Sequence, residues 1–152
     1  MTFESLKDVI QFAIRKEHDA RELYLMFKNM VKDPGAKTLL QELADQELGH
    51  RNLLQKALDE GGIENLVGRQ SVQDLGISDA FVADPIGPQS SPQDIMIFAM
   101  KNEQASYYLY RVMGDNYGGT PLASLFSRLA QEELHHKQTL ERQYEEHFMQ
   151  WM

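Results

Sequence analysis

Glu47-Leu48-Gly49-His50 and Glu133-Leu134-His135-His136 set a glutamate three residues ahead of a histidine twice in one chain, 86 residues apart. A lone glutamate precedes each pair, Glu17 and Glu103, and these two are separated by the same 86 residues. Each lone glutamate is followed three positions on by a small residue (Ala20, Ser106) and seven on by a tyrosine (Tyr24, Tyr110). One helix pair is thus written twice, and each copy carries two carboxylates and one imidazole at fixed offsets.

Outward from these residues, apolar positions recur at alternating spacings of three and four, the period of an amphipathic helix. The first helix is expected from about Phe3 to about Val31, with the seam Phe3, Leu6, Ile10, Ala13, Glu17, Ala20, Tyr24, Phe27, Val31. The second starts at Asp33-Pro34, a cap followed by proline at the first helical position, and stops before Gly61-Gly62. Its seam is Ala36, Leu40, Leu43, Glu47, His50, Leu54, Ala57. Ser91-Pro92-Gln93-Asp94 caps the third, whose seam is Met96, Ala99, Glu103, Ser106, Tyr110, Met113, Tyr117. Gly118-Gly119 stops it and Thr120-Pro121 starts the fourth, with the seam Leu122, Phe126, Leu129, Glu133, His136, Leu140, fading toward Gln143 and His147.

Short turns make each helix pair an antiparallel hairpin. The expected fold is all-α: a ferritin-like four-helix bundle of two antiparallel hairpins, 3–60 and 92–149, joined by a long crossover over 61–91. A short helix is expected in that crossover near Ser71–Gly76. With 152 residues the chain fits one domain, because a hairpin of about 60 residues alone would bury too little surface.

All four seams are interrupted near their middles by Glu17, Glu47 and His50, Glu103, and Glu133 and His136. Burying four carboxylates together is prohibitive without cations or protons to compensate. Two divalent cations would balance the four charges and leave both imidazoles neutral as ligands. A single Glu-x-x-His on a helix is usually a solvated charge beside a chance histidine. Six such residues in register, repeated at one offset, point to a site for two metal ions. Glu132 and His135 form a competing pair, but a shift of one residue turns side chains about 100° off the seam. Their partners at the 86-residue offset are Gln46 and Gly49, so they are assigned to the periphery. His18 and His147 read as surface histidines. Tyr24 and Tyr110 stand at the helical spacing of core aromatics.

Composition narrows the chemistry. The chain contains no cysteine, which removes disulfides, thiol catalysis, zinc knuckles and iron–sulfur centres, so oxygen and nitrogen must hold any metal. Such ligands suit iron, and permit manganese or zinc. A net charge of −8 and the lack of a basic patch argue against nucleic acid. No run approaches the ~18 apolar residues of a membrane span, and no secretory signal follows Met1, so a cytoplasmic protein is expected.

On Glu17-x-x-Ala20-x-x-x-Tyr24, Glu47-x-x-His50, Glu103-x-x-Ser106-x-x-x-Tyr110 and Glu133-x-x-His136, the chain resembles the rubrerythrin group of ferritin-like di-iron carboxylate proteins across nearly its full length. The resemblance implies that Glu47 and Glu133 bridge two metal ions. Glu17 and His50 would complete one ion and Glu103 and His136 the other, with Tyr24 and Tyr110 beside the cluster as hydrogen-bonding or redox-active neighbours. The implied activity is that of a di-iron oxidoreductase reducing peroxide or dioxygen. The alternatives are a ferroxidase that stores or passes on iron, and a metal-stabilised scaffold. Two departures matter. Similar proteins usually carry a rubredoxin domain, whereas this chain has no cysteine, so electrons are expected from a separate rubredoxin-like protein or flavoprotein. They also usually carry a second glutamate where Ser106 stands, a carboxylate that takes part in peroxide reduction, so the resemblance implies a simpler six-ligand site here and a less efficient peroxidase. A homodimer is expected, with hairpins exchangeable between subunits and the apolar segment Phe148–Met152 at the interface or packed on its own bundle.

Overall fold

The computed structural model describes residues 2–3, 5–60, 72–73 and 90–151, with side chains over 5–60 and 90–146. Four helices dominate: α1 (Leu6–Met30), α2 (Pro34–Asp59), α3 (Pro92–Asn116) and α4 (Pro121–Trp151). Their ends follow the capping chemistry. Ser5 caps α1 by accepting the Asp8 amide at 3.2 Å, and Asp33 caps α2 by accepting the Ala36 amide at 2.9 Å. At α3, Ser91 and Asp94 bond each other's amides reciprocally, satisfying two otherwise orphaned donors ahead of Pro92. α3 gives way to a tight turn in which Gly119 takes φ +82°, a left-handed conformation that a side chain would disfavour. The Thr120 hydroxyl donates to the Tyr117 carbonyl at 2.6 Å, closing that turn into α4.

α1 packs mainly on α2 and α3 mainly on α4, so two hairpins form as the sequence predicts. The hairpins meet through α1 on α3 and α2 on α4. The core falls into two apolar layers. One gathers Leu6, Ile10, Leu54, Met113 and Phe126; the other gathers Phe27, Val31, Leu40, Met96 and Leu140. Burying each of these larger side chains contributes roughly 1.5–3 kcal/mol. The layers also fix the helix directions. α2 ends in the layer where α1 begins, while α3 begins in the layer where α1 ends. α2 therefore ends at the opposite end of the bundle from the start of α3, as in a ferritin-like bundle.

Two expectations need correction. α1 starts at Leu6 rather than at about Phe3, because the Ser5 side chain caps the helix and Thr2–Phe3 (β1) are extended. Within the stretch expected to be a short helix near Ser71–Gly76, Val72–Gln73 (β2) are also extended. They pair antiparallel with β1, Thr2 opposite Gln73 and Phe3 opposite Val72, an alternative use for their backbone groups that helix periodicity does not reveal. The remaining residues of that stretch lie outside the described ones. α4 runs on to Trp151, in keeping with an expected second hairpin of 92–149, and the side chains of His147 and of the apolar tail lie outside the described residues.

Candidate metal centre

Between the two apolar layers, the four helices turn their interrupting residues toward one another. Glu17, Glu47, His50, Glu103, Glu133 and His136 are all buried, none more than 2% exposed. Their ligand atoms form two groups, each lying within 4.8 Å: Glu17, Glu47, His50 and Glu133 in one, Glu47, Glu103, Glu133 and His136 in the other. Glu47 and Glu133 belong to both. Each imidazole reaches across to the glutamate of the opposite hairpin, His50 Nδ1 lying 2.6 Å from Glu133 Oε1 and His136 Nδ1 lying 2.8 Å from Glu47 Oε1. The two rings are nearly parallel, with centroids 5.6 Å apart and planes 11° apart.

The tyrosines join the same network reciprocally. Tyr110 on α3 donates to Glu17 on α1 at 2.5 Å, and Tyr24 on α1 donates to Glu103 on α3. Their rings are buried in the core, and their hydroxyls bond the lone glutamates of the opposite hairpin. Burial first, and then the carboxylates around them, push both phenols well above the ordinary tyrosine range, so they remain protonated donors.

Whether these residues suit metal ions is answered by what they leave unsatisfied. Glu17 Oε2, Glu47 Oε2, Glu103 Oε2, Glu133 Oε1 and both nitrogens of His50 are buried without a hydrogen-bond partner. Even the 2.6 Å approach of His50 Nδ1 to Glu133 Oε1 lacks the angles of a hydrogen bond. Buried polar atoms are ordinarily paired, so five or more lone-pair-bearing groups converging unpaired need an electrophile. The donor set is carboxylate and imidazole, which fits divalent iron, manganese or zinc.

The electrostatics agree. Burial, reinforced by Glu47, holds the Glu17 carboxyl well above the usual carboxylate range. Burial with Glu103 and Glu17 does the same for Glu133, and burial with Glu47 raises Glu103. At Glu47 burial also acts upward, but the neighbouring Glu17 carboxyl and the imidazoles of His136, hydrogen-bonded at 2.8 Å, and His50, 3.6 Å away, outweigh it and hold this carboxyl well below the usual range. Burial disfavours the imidazolium forms, yet the Glu17 and Glu47 carboxylates, each 3.6 Å from Nδ1, push His50 up to about 11, and the Glu103 and Glu47 carboxylates push His136 up to about 10. Without cations, then, the cluster balances its charge with protons held on imidazoles and carboxylates. Metal ions would take their place.

Outside the ligands lies a further layer, of which the sequence reading placed Glu132 at the periphery of the site but missed Gln46. His136 Nε2, the nitrogen facing away from the cluster, is bonded to Gln46 Oε1. His50 Nε2 lies 3.5 Å from Glu132 Oε1, and Arg128 holds the other oxygen of Glu132 at 3.0 Å. Gln46 and Glu132 are themselves 86 residues apart, so the repeat extends to the partners of the imidazoles; alignment of the two motifs was the available signal. His135, the other half of the competing pair, is exposed, as is His18. Partners on the far nitrogen of a ligating histidine fix its ring and its tautomer, and their loss typically costs about 10–100-fold in metal affinity. Glu132→Ala and Gln46→Ala are therefore expected to weaken binding by that order while keeping wild-type stoichiometry at saturating metal, measured by titration and elemental analysis. A lost ion in Glu132→Ala would place the ligand register one residue off.

Residues 8–74, spanning the first hairpin, match the Rubrerythrin family model. A hypothetical protein from Pyrococcus furiosus shares the fold, with a TM-score of 0.70 and 26% identity over 97% of this chain and 92% of its own. No curated protein matches the chain.

Proposed function

We propose, from the premise that the chain is a rubrerythrin-like protein of the ferritin-like fold, that it is a di-iron oxidoreductase acting on peroxide or dioxygen. The observation that carries this reading is the pair of overlapping ligand groups that share Glu47 and Glu133 and end in unpaired buried oxygens. In this reading Glu17, Glu47, His50 and Glu133 hold one ion, and Glu47, Glu103, Glu133 and His136 hold the other. When bound, a ferrous pair supplies two electrons, the number that cleaves a peroxide O–O bond to two waters with two protons.

The chain's own residues do the rest. The Tyr24 and Tyr110 hydroxyls each occupy one oxygen of Glu103 and Glu17 and so fix these carboxylates beside the cluster, leaving the second, buried oxygen of each without a hydrogen-bond partner. Gln46 and Glu132 orient the imidazoles from outside. The apolar layers above and below keep water from the carboxylates and strengthen every charge interaction between them. None of the 152 residues is cysteine, so in this reading the electrons that return the ions to the ferrous state come from a donor outside these residues, of the rubredoxin or flavoprotein kind.

Anaerobic mixing of the ferrous-loaded protein with hydrogen peroxide, and separately with dioxygen, tests the reading. Cluster oxidation by peroxide is expected to be faster by at least about tenfold, a barrier difference of about 1.4 kcal/mol. If dioxygen reacts as fast or faster, the peroxide reading fails and the ferroxidase reading replaces it.

A further inference from the structure

A cavity of about 160 Å³ opens on the α1–α3 face and runs inward to the cluster. Burial falls into a gradient along it: Asp19 is exposed, Lys16 and Asn102 are half-buried, and Tyr24 and Glu103 at its inner end are buried. The space exists because small residues meet there. Ala20 of α1 and Ala99 and Ser106 of α3 all line it, where longer side chains at helical spacing would close the seam. The inner end is also where an unpaired acceptor sits. Glu103 takes the Tyr24 hydroxyl on one oxygen, while its buried Oε2 has no hydrogen-bond partner.

We propose that this cavity binds small, uncharged organic hydroperoxides, and so extends the substrate class of the site beyond hydrogen peroxide; this rests on the proposed function. The volume is close to the ~150 Å³ of an engineered protein cavity that takes benzene, so a body of about six non-hydrogen atoms fits. Leu23, Phe98 and Ala99 give that body an apolar wall. A hydroxyl or hydroperoxyl end meets the half-buried Asn102 and Ser106 side chains beside the cluster, whereas an anion would meet the Glu103 carboxylate at the inner end. The overall reaction keeps the balance of the peroxide reaction. The O–O bond breaks, two electrons come from two ferrous ions that become ferric, and two protons from solvent complete one alcohol and one water.

Two measurements test it. In the redox-inert zinc-loaded protein, tert-butanol, the unreactive counterpart of tert-butyl hydroperoxide, is expected to shift the NMR signals of Ala20, Leu23 and Ala99. Ala20→Leu and Ser106→Leu are each expected to abolish these shifts while circular dichroism shows the helices retained. In the ferrous-loaded protein, the rate with tert-butyl hydroperoxide relative to that with hydrogen peroxide is expected to fall at least about tenfold in either variant, the scale of a pocket that loses its room. Absence of tert-butanol shifts in the wild type, or a rate ratio unchanged within about twofold in both variants, would overturn the proposal. The tert-butanol measurement involves no oxidation, so it stands even if peroxide fails to outpace dioxygen and the proposed function falls.

Discussion

Glu47→Ala and Glu133→Ala are each expected to abolish tight binding of the second metal ion. Both carboxylates belong to both ligand groups, so either substitution strips an oxygen from each position at once. It also leaves the remaining carboxylates with one fewer negative charge to hold two cations in an apolar setting. The affinity lost should exceed the roughly 10–100-fold associated with an outer partner such as Gln46 or Glu132. Glu17→Ala gives the contrast, because Glu17 belongs to a single group and its loss should impair one position. Metal-to-protein ratios after gel filtration read the result. Wild-type ratios in both Glu47→Ala and Glu133→Ala would sink the ligand assignment.

The second large effect is a reversal of pH dependence between metal-free and metal-loaded protein. His50 and His136 have folded values of about 11 and about 10 against 6.5 when unfolded. A raised value means that the folded chain binds the proton more tightly than the unfolded chain. That stabilisation is fully present below 6.5 and is lost as the pH climbs through about 10 to 11. The raised Glu17 and Glu133 act with the same sign, since their protonated forms are the ones the buried site favours. Glu47, held low, contributes above its unfolded value and loses that contribution only in strong acid, outside this window. The metal-free protein should therefore unfold at lower urea concentration at pH 9 than at pH 6.5. Metal affinity moves the opposite way, because each imidazole must shed its proton to ligate. Loading with zinc near pH 7 should release one proton from each imidazole, with any further protons coming from the raised carboxyls, and the stabilisation it confers should widen as pH rises. A metal-free protein as stable at pH 9 as at pH 6.5 would mean that the buried imidazoles carry no proton.

Much of this site was legible because a helix carries its geometry in its period. Glu17, Glu47, His50, Glu103, Glu133 and His136 interrupt apolar seams, and the ~100° turn per residue separates Glu133 and His136, which are buried, from His135, which is exposed. Helix ends were legible where a side chain does the capping, as at Ser91 and Asp33. What escaped depends on contacts between elements. The reach of Gln46 to His136, and the exchange of hydrogen bonds by Tyr24 and Tyr110 with glutamates of the opposite hairpin, arise only when the hairpins are docked. Pairing of Thr2–Phe3 with Val72–Gln73 joins segments some seventy residues apart, each too short to show an alternating pattern. The cavity beside Ala20 and Ser106 was equally hidden, since small residues in a seam signal close packing as readily as open space.

Anomalous X-ray diffraction at the iron edge, on crystals of protein loaded anaerobically with ferrous iron, tests the central claim most directly. The account predicts two peaks between α1, α2, α3 and α4, one contacted by Glu17 and His50, the other by Glu103 and His136, with Glu47 and Glu133 reaching both. A single peak, or strong peaks only outside these six residues, would contradict it.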